Sequence, residues 1–291
     1  MKVLVFGETG QVARALALAG PARGITVQCL NRHAADLSDP AACAAVIMDT
    51  DADAVINAAA WTAVDAAEAQ EDAAHVINAG SPGAMARACA DRGLPFVHIS
   101  TDYVFDGRAG APWAPDAQTG PLGAYGRTKL AGERAVQDSG ARAVVLRTAW
   151  VFDGAGKNFV TTMLRLSETR DTLTVVADQV GGPTPADAIA DACLTIAQAL
   201  VDGTGQGGVH HLSGAPDVSW ADFARAIMVT AGRGTTVTDI TTADYPTPAA
   251  RPANSRLDCD SLHAAFGIVR PDWQAALTRI IAAGIIKETQ T

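Results

Sequence analysis

The chain has 291 residues, 48% of them hydrophobic and 18% charged, which is the balance of a globular protein with ample apolar material for a large core. Its formal net charge is −9 and its Lys and Arg are scattered, so the electrostatic footprint of a nucleic-acid binder is missing. Five cysteines stand far apart with no CxxC pair, which excludes a disulfide or zinc framework and fits buried thiols in a reducing cytoplasm. No apolar run approaches the ~20 residues a membrane span needs, and the opening "MKVLVFG" reads as a strand rather than a signal segment.

In chain order, "KVLVF" (2–6) predicts a buried strand, followed by a helix from Gln11. "ITVQCL" (25–30) predicts a second strand, a helix follows near Pro40, and "DAVINAAA" (53–60) predicts a third strand with its exit loop. "EAQED" (68–72) reads as a solvated acidic turn, a long helix covers roughly 72–92, and "LPFVHIS" (94–100) is a strand. A helix then follows Tyr125, and "RAVVLRTAW" (142–150) is another strand. Near-continuous apolar strands alternating with helices predict an α/β fold with a Rossmann-like, doubly wound parallel sheet.

After residue 150 the pattern loosens. "NFVTTMLRLSE" (158–168) is helical, and "DQVGGPTPADAIADACLTIAQAL" (178–200) is a Gly/Pro turn leading into a helix with Pro185 near its first turn. "GVHHLSG" (208–214) is one more strand; the adjacent rings of His210 and His211 then face opposite sides, so they are no ligand pair. Ser219 caps a helix, the Pro-rich stretch 244–258 is loop, and 271–284 is a helix ended by Gly284. The expected division is a dinucleotide-binding domain over 1–150 with return segments at about 178–214, and a smaller substrate-binding lobe from 151–177 and 215–291.

Gly7-x-x-Gly10-x-x-Ala13 lies directly between the first strand and its helix. Gly7 permits the tight turn, Gly10 lets backbone approach a pyrophosphate, and Ala13 allows close packing. No carboxylate ends the second strand; Asn31-Arg32 stands there, and an arginine can pair with a 2′-phosphate, which favours NADPH over NADH. Asp36 and Leu37 are placed to touch the adenine, and the small Ala58, Ala59 and Ala60 would let the nicotinamide ribose and phosphates lie against the backbone.

Tyr125 and Lys129 sit four apart and share a helix face. An ammonium near a phenol stabilises the phenolate, so the pair predicts a lowered Tyr125 pKa and a proton ready for a carbonyl oxygen that receives hydride. Thr101, at the exit of the fourth strand, would offer a hydroxyl to the same oxygen. Trp61 and Trp150 are either ligand-stacking or core aromatics, and His98 reads as a packed strand residue.

Gly7-x-x-Gly10, "NAAA", "STD" and Tyr125-x-x-x-Lys129 resemble the extended short-chain dehydrogenase/reductase superfamily. "NAAAWTAVDAAE" (57–68), "STDYVFDG" (100–107), "YGRTKLAGE" (125–133), "RTAWVFDGAGKNFVTTML" (147–164), "DQVGGPTPADAIA" (178–190) and "RPANSRLD" (251–258) together resemble the dTDP-4-dehydrorhamnose reductases. The resemblance implies NAD(P)H-dependent reduction of the C4 ketone of dTDP-4-dehydro-β-L-rhamnose, a cytoplasmic step toward cell-surface polysaccharide. It implies Thr101, Tyr125 and Lys129 as catalytic residues. It places Gly7, Gly10, Gln11, Val12, Asp36, Leu37, Ala58, Ala59, Ala60 and Lys129 at the cofactor, and Asp102, Tyr103 and Trp150 in the sugar pocket. Asn158, Gln179 and Arg256 are further candidates for the substrate end. Ala13 stands where a glycine is frequent and Thr128 where a serine is. Some members bridge a dimer through magnesium-binding glutamates, one of which would fall at Ala15, so no metal is expected and monomer and homodimer stay open.

Two other functions fit the scaffold. A 4,6-dehydratase needs a carboxylate after the aspartate of the Thr-Asp pair, where this chain has Tyr103, and an epimerase would retain its nicotinamide. A regulatory subunit that binds NADP without turnover would have no need of the Thr101/Tyr125/Lys129 set.

Overall fold

A computed structural model describes residues 1–284; the last seven residues of the lobe expected over 215–291 lie outside the described residues. Five strands of the main sheet are β1 (Lys2–Phe6), β2 (Thr26–Leu30), β3 (Ala54–Asn57), β4 (Phe96–Thr101) and β5 (Ala143–Thr148). A sixth, Gly208–Leu212, completes it. Every pairing is parallel, and the order across the sheet is β2, β1, β3, β4, β5 and then Gly208–Leu212. The chain therefore runs outward from β1 to β2 and crosses back to β3, which opens a crevice above the carboxyl ends of β1 and β3.

Helices cover both faces, which is why the strands carry apolar residues on both sides. Helix α1 (Gln11–Ala22) and the helix Ala186–Val201 bury Val3, Val5, Ile56, Leu146 and Ile189 on one face. On the other, α2 (Pro40–Asp49) starts at an Asp39 cap whose Oδ1 accepts the Ala42 N–H at 3.0 Å. It shields Leu4, Phe6, Val55 and Phe96. Helices α3 (Val64–Ala69) and α4 (Glu71–His75) follow β3, then a π-helical turn at Val76–Gly80 and α5 (Ser81–Arg92). The helix expected over 72–92 thus continues through a widened turn, in which Asn78 turns inward to hold the Trp61 backbone.

Helix α6 (Ala124–Gln137) carries Tyr125 and Lys129. The "EAQED" segment is solvated as expected, but it is more than a turn: it spans the end of α3 and the start of α4, and its two glutamates anchor α6. Glu68 Oε1 accepts the Ala124 N–H at 2.8 Å, doing for α6 what its N-cap Gly123 has no side chain to do. Glu71 pairs with Arg127 through two bonds of 2.8 and 2.7 Å. Gly126 lets the helix lie against the preceding loop, since a Cβ there would stand 2.2 Å from the Tyr103 carbonyl oxygen.

The remaining chain builds a second core around Phe152, Phe223, Ile227, Trp273 and Leu277, beneath the helices Phe159–Ser167, Trp220–Thr230 and Trp273–Ala283. Two strands that the loose pattern concealed, Thr172–Val176 and Thr236–Ile240, pair in parallel over it. Val180–Gly181 also belongs here, between Val218–Ser219 and Asn254–Ser255, so the return to the main fold begins at the helix Ala186–Val201. Pro185 is the N-cap of that helix, next to its first turn as expected.

Candidate active site

A cavity of about 450 Å³ opens where the ends of β1, β3, β4 and β5 meet α6. Gly7 leaves β1 with φ +117°, a conformation costly for any residue with a Cβ. A Cβ there would also touch Ala13 and Ala58 at 3.4 Å. Gly10 is the N-cap of α1 and offers no side chain to its first turn, so the N–H groups of that turn point toward the cavity. Gln11 adds a buried Oε1 with no hydrogen-bond partner. Unspent backbone donors and the small wall of Ala58, Ala59 and Ala60 suit a dinucleotide pyrophosphate. Arg14 and Lys157 also line this cavity and bring positive charge. Arg14 sits in the first turn of α1, a position the glycine-turn reading reaches but did not use.

Val12 lines the same cavity; Gly7, Asn31, Arg32, Asp36 and Leu37 stand outside its walls. The Asn31 side chain accepts the His33 and Ala34 N–H groups, both at 3.0 Å, and shapes the loop after β2. Arg32 is largely exposed, 3.6 Å from Asp36. Leu37 is buried beneath that loop. Trp61 also lies outside the walls, packed with Tyr125 on a small alanine cluster.

Thr101 at the end of β4, Asp102 and Tyr103 in the turn that follows it, Tyr125 and Lys129 on α6, and Trp150 after β5 all line the cavity. Thr101 Oγ1 donates to Asp102 Oδ1 at 3.1 Å and accepts the Tyr103 N–H at 3.2 Å. The rings of Tyr103 and Tyr125 meet edge-on, 5.4 Å between centroids. Burial pushes the Tyr125 phenol up to about 12, with the Thr101 hydroxyl pulling the other way and Asp102 adding to the rise. The expectation of a phenol made acidic by Lys129 is corrected: desolvation of the phenolate outweighs any ammonium effect, and the Tyr125 phenol is held protonated. Burial also lowers Lys129 to about 8, against the raising pull of Glu133. Its Nζ donates to the Ile99 carbonyl at 2.7 Å and lies 3.4 Å from His98 Nε2. Burial raises the Asp102 carboxyl to about 6.

Trp150 has φ +50°, strained for so bulky a side chain. Its ring stacks on Trp220 at 3.6 Å, and a Cβ at Gly181 would come within 2.8 Å of it. Packing from both sides thus fixes Trp150 as a cavity wall. Trp220 and Arg251 help to line a second cavity of about 460 Å³ in the smaller core, beside Phe159, Arg170, Leu173 and Gln179. Gln179 Nε2 donates there to Thr242 Oγ1 at 3.1 Å. Asn158 and Arg256 line neither cavity. Asn158 caps the helix Phe159–Ser167, and Arg256 is held by Asn254 Oδ1 and the Gly110 carbonyl, each at 2.8 Å. Among the described residues, no three His, Cys, Asp or Glu side chains gather as a metal site would require.

The family model described as RmlD substrate binding domain matches residues 1–285. The dTDP-4-dehydrorhamnose reductase of Sinorhizobium fredii is 43% identical over 99% of both chains. The crystal structure of a dTDP-4-dehydrorhamnose reductase from Clostridium acetobutylicum superposes with TM-score 0.91 at 36% identity, covering 97% of this chain and 99% of that one. That of the Bacillus anthracis enzyme, in complex with NADP, superposes with TM-score 0.90 at 29% identity over 97% and 99%. A resemblance first carried by short motifs thus extends over sequence and backbone alike, and the chain belongs to the dTDP-4-dehydrorhamnose reductase family of oxidoreductases.

Proposed function

We propose that the chain reduces the C4 ketone of dTDP-4-dehydro-β-L-rhamnose to dTDP-L-rhamnose at the expense of NADPH. The observation that carries this reading is the convergence of Thr101, Tyr125 and Lys129 on one cavity with the open N-terminus of α1. The bound dihydronicotinamide supplies the hydride. Tyr125 gives its phenolic proton to the C4 oxygen, and the Thr101 hydroxyl lies beside Tyr125 to orient that oxygen. Lys129 would hold the nicotinamide ribose, while Gly10, Gln11 and Val12 would hold the phosphates and Gly7 makes the turn that presents them. Ala58, Ala59 and Ala60 keep the wall flat, and Asp102, Tyr103 and Trp150 hold the sugar. The second core, from 151–177 and from 215 onward, holds the nucleotide. Its cavity adjoins Trp150 through the stacked Trp220 and combines aromatic walls with Arg170 and Arg251, a match for a base and a diphosphate. Gln179 lies in this nucleotide arm, whereas Asn158 and Arg256 support it by shaping loops.

The test is to mix the protein with NADPH and the 4-keto sugar nucleotide, follow loss of reduced nicotinamide and identify the deoxysugar formed. Stoichiometric oxidation with dTDP-L-rhamnose as product is expected; oxidation only with a different keto-sugar nucleotide would overturn the substrate.

For the cofactor, we propose that Arg32 and Asn31 face the adenosine ribose, with Asp36 and Leu37 at the adenine. The contact of Arg32 with Asp36 is long and exposed, so turning the guanidinium to a 2′-phosphate costs little. Arg32→Ala is expected to raise the KM for NADPH roughly tenfold, the scale of one charge-assisted hydrogen bond, and to leave that for NADH within about twofold. Equal changes for both cofactors would remove Arg32 from the ribose.

A further inference from the structure

Three polar side chains beneath the cavity form a chain whose donor and acceptor roles are fixed by its far end. Asn57, the last residue of β3, is buried, and its Oδ1 accepts the Ala59 N–H at 3.1 Å. That bond orients the amide, because the flipped amide would set two donors against each other. The Asn57 Nδ2 therefore points at His98 Nδ1, 3.1 Å away. An amide nitrogen only donates, so Nδ1 of His98 must accept, and a neutral imidazole that accepts at Nδ1 carries its proton on Nε2. Nε2 is the atom that faces Lys129 Nζ at 3.4 Å. An N–H aimed at an ammonium is a repulsion; aimed at a neutral amine it is a hydrogen bond. His98 is wholly buried, so it cannot escape the conflict by taking a second proton.

We propose that His98, set in its Nε2–H form by Asn57, is a positioning residue that biases Lys129 toward its neutral amine, and so couples the 57–60 loop to the protonation of the catalytic lysine. The charged and titratable groups around Lys129 are His98 on β4 and, on its own helix, Tyr125 and Glu133; Glu133 in turn faces Arg147 on β5. Glu133 favours the ammonium and His98 opposes it. Burial lowers Lys129 against the raising pull of Glu133, and burial first and the Lys129 charge second hold His98 well below the ordinary imidazole value, so His98 faces Lys129 as a neutral ring. The same Asn57 that sets the tautomer also holds the Ala59 N–H, so a molecule pressing on that loop reaches Lys129 through three successive hydrogen bonds, Ala59 to Asn57, Asn57 to His98 and His98 to Lys129.

The first test does not depend on the proposed reaction. In the full-length protein with ¹⁵N-labelled histidine, the His98 ring is assigned by its disappearance in His98→Gln. It should show a protonated Nε2 and a bare Nδ1 throughout pH 5.5–8 (a range on the order of the stability plateau of folded proteins). A protonated Nδ1, or an imidazolium, overturns the proposal. The second test rests on the reductase reading. Asn57→Asp replaces the amide donor by a carboxylate acceptor, which draws the imidazole proton to Nδ1 and leaves Nε2 to accept from an ammonium. The pH limb of kcat/KM governed by Lys129 should then move upward by roughly one unit. In a His98→Leu background the same Asn57→Asp change should move it by less than half as much. A shift that survives intact without His98 reports the new carboxylate charge alone and overturns the relay, and no shift in either background does the same. Absence of any reductase turnover in the parent protein would instead count against the proposed function, with the tautomer result still standing on its own.

Discussion

Replacing Tyr125 by Phe should lower turnover by a factor of about 10²–10⁴ and leave NADPH binding within about twofold, because it removes one proton donor and little else. The ring is what packs: it meets Tyr103 edge-on at 5.4 Å and rests on the cluster of Ala67, Ala74 and Ala124. Phenylalanine keeps both contacts. In the proposed reaction the hydroxyl is what reacts, and burial holds it protonated, with a pKa pushed up to about 12. Its proton becomes transferable only when negative charge develops on an oxygen at hydrogen-bonding distance, so the phenol does not lose it wastefully to solvent. Single-turnover oxidation of NADPH separates the chemical step from binding, and a variant that keeps more than a tenth of the parent rate in that measurement would remove Tyr125 from proton donation. The epimerase and the non-catalytic readings part here as well. An epimerase would show no net NADPH loss in the parent, and a pure binder would show no difference between parent and variant.

How much of this was legible in the sequence follows from what each signal physically encodes. The strands of the main sheet are buried on both faces, so their apolar runs stand out; so does the Gly7 turn, because its φ of +117° restricts the residue type. The pair Tyr125/Lys129 was readable because both residues lie on one helix and their spacing is local. Thr172–Val176 and Thr236–Ile240 were missed although they alternate β-branched residues, with Leu173 and Val175 facing the core. Each is one strand of a two-stranded pair joined across more than sixty residues of chain, and nothing nearby marks that pairing. The acidic segment 68–72 was readable as solvated but not as an anchor of α6, because its partners, Ala124 N and Arg127, are over fifty positions away. The sign of the Tyr125 shift was misjudged for a related reason: sequence spacing shows which charges can approach a group, whereas desolvation depends on everything that surrounds it. Arg256 and Arg251 lie five positions apart in one loop, and only three-dimensional placement tells that Arg251 lines the second cavity while Arg256 is bound to backbone. His98 was read as packed, which it is, but its approach to Lys129 from a neighbouring strand could not be read from spacing.

The other large effect expected is on stability, at Arg147. Replacing it by methionine should lower the unfolding free energy by about 3–5 kcal/mol, the scale found when one member of a buried ion pair is removed. Glu133 of α6 is fully buried and receives three hydrogen bonds from the Arg147 guanidinium at 2.6–3.1 Å, plus the Ser100 hydroxyl. The guanidinium also donates to the Pro115 carbonyl at 3.0 Å, lies 3.3 Å from His211 Nε2 and sits 5.0 Å above the Phe105 ring. Its donors are thereby spread over α6, the sixth strand and the long loop between β4 and α6. Methionine fills most of the volume and leaves the Glu133 carboxylate in the core with a single hydroxyl for company. Glu133→Met combined with Arg147→Met removes both charges, and should recover at least half of the loss in urea unfolding, since an absent pair costs less than a broken one. A single variant within about 1 kcal/mol of the parent would show that water or local rearrangement relieves the carboxylate, and that the pair does not lock α6. The link to function is geometric. Glu133 lies two turns along α6 from Tyr125 and one from Lys129, roughly 12 and 6 Å along the axis. A helix released at Glu133 carries both reacting side chains with it, so the single variant should lose kcat beyond its loss of folded protein, and the double variant should regain part of it.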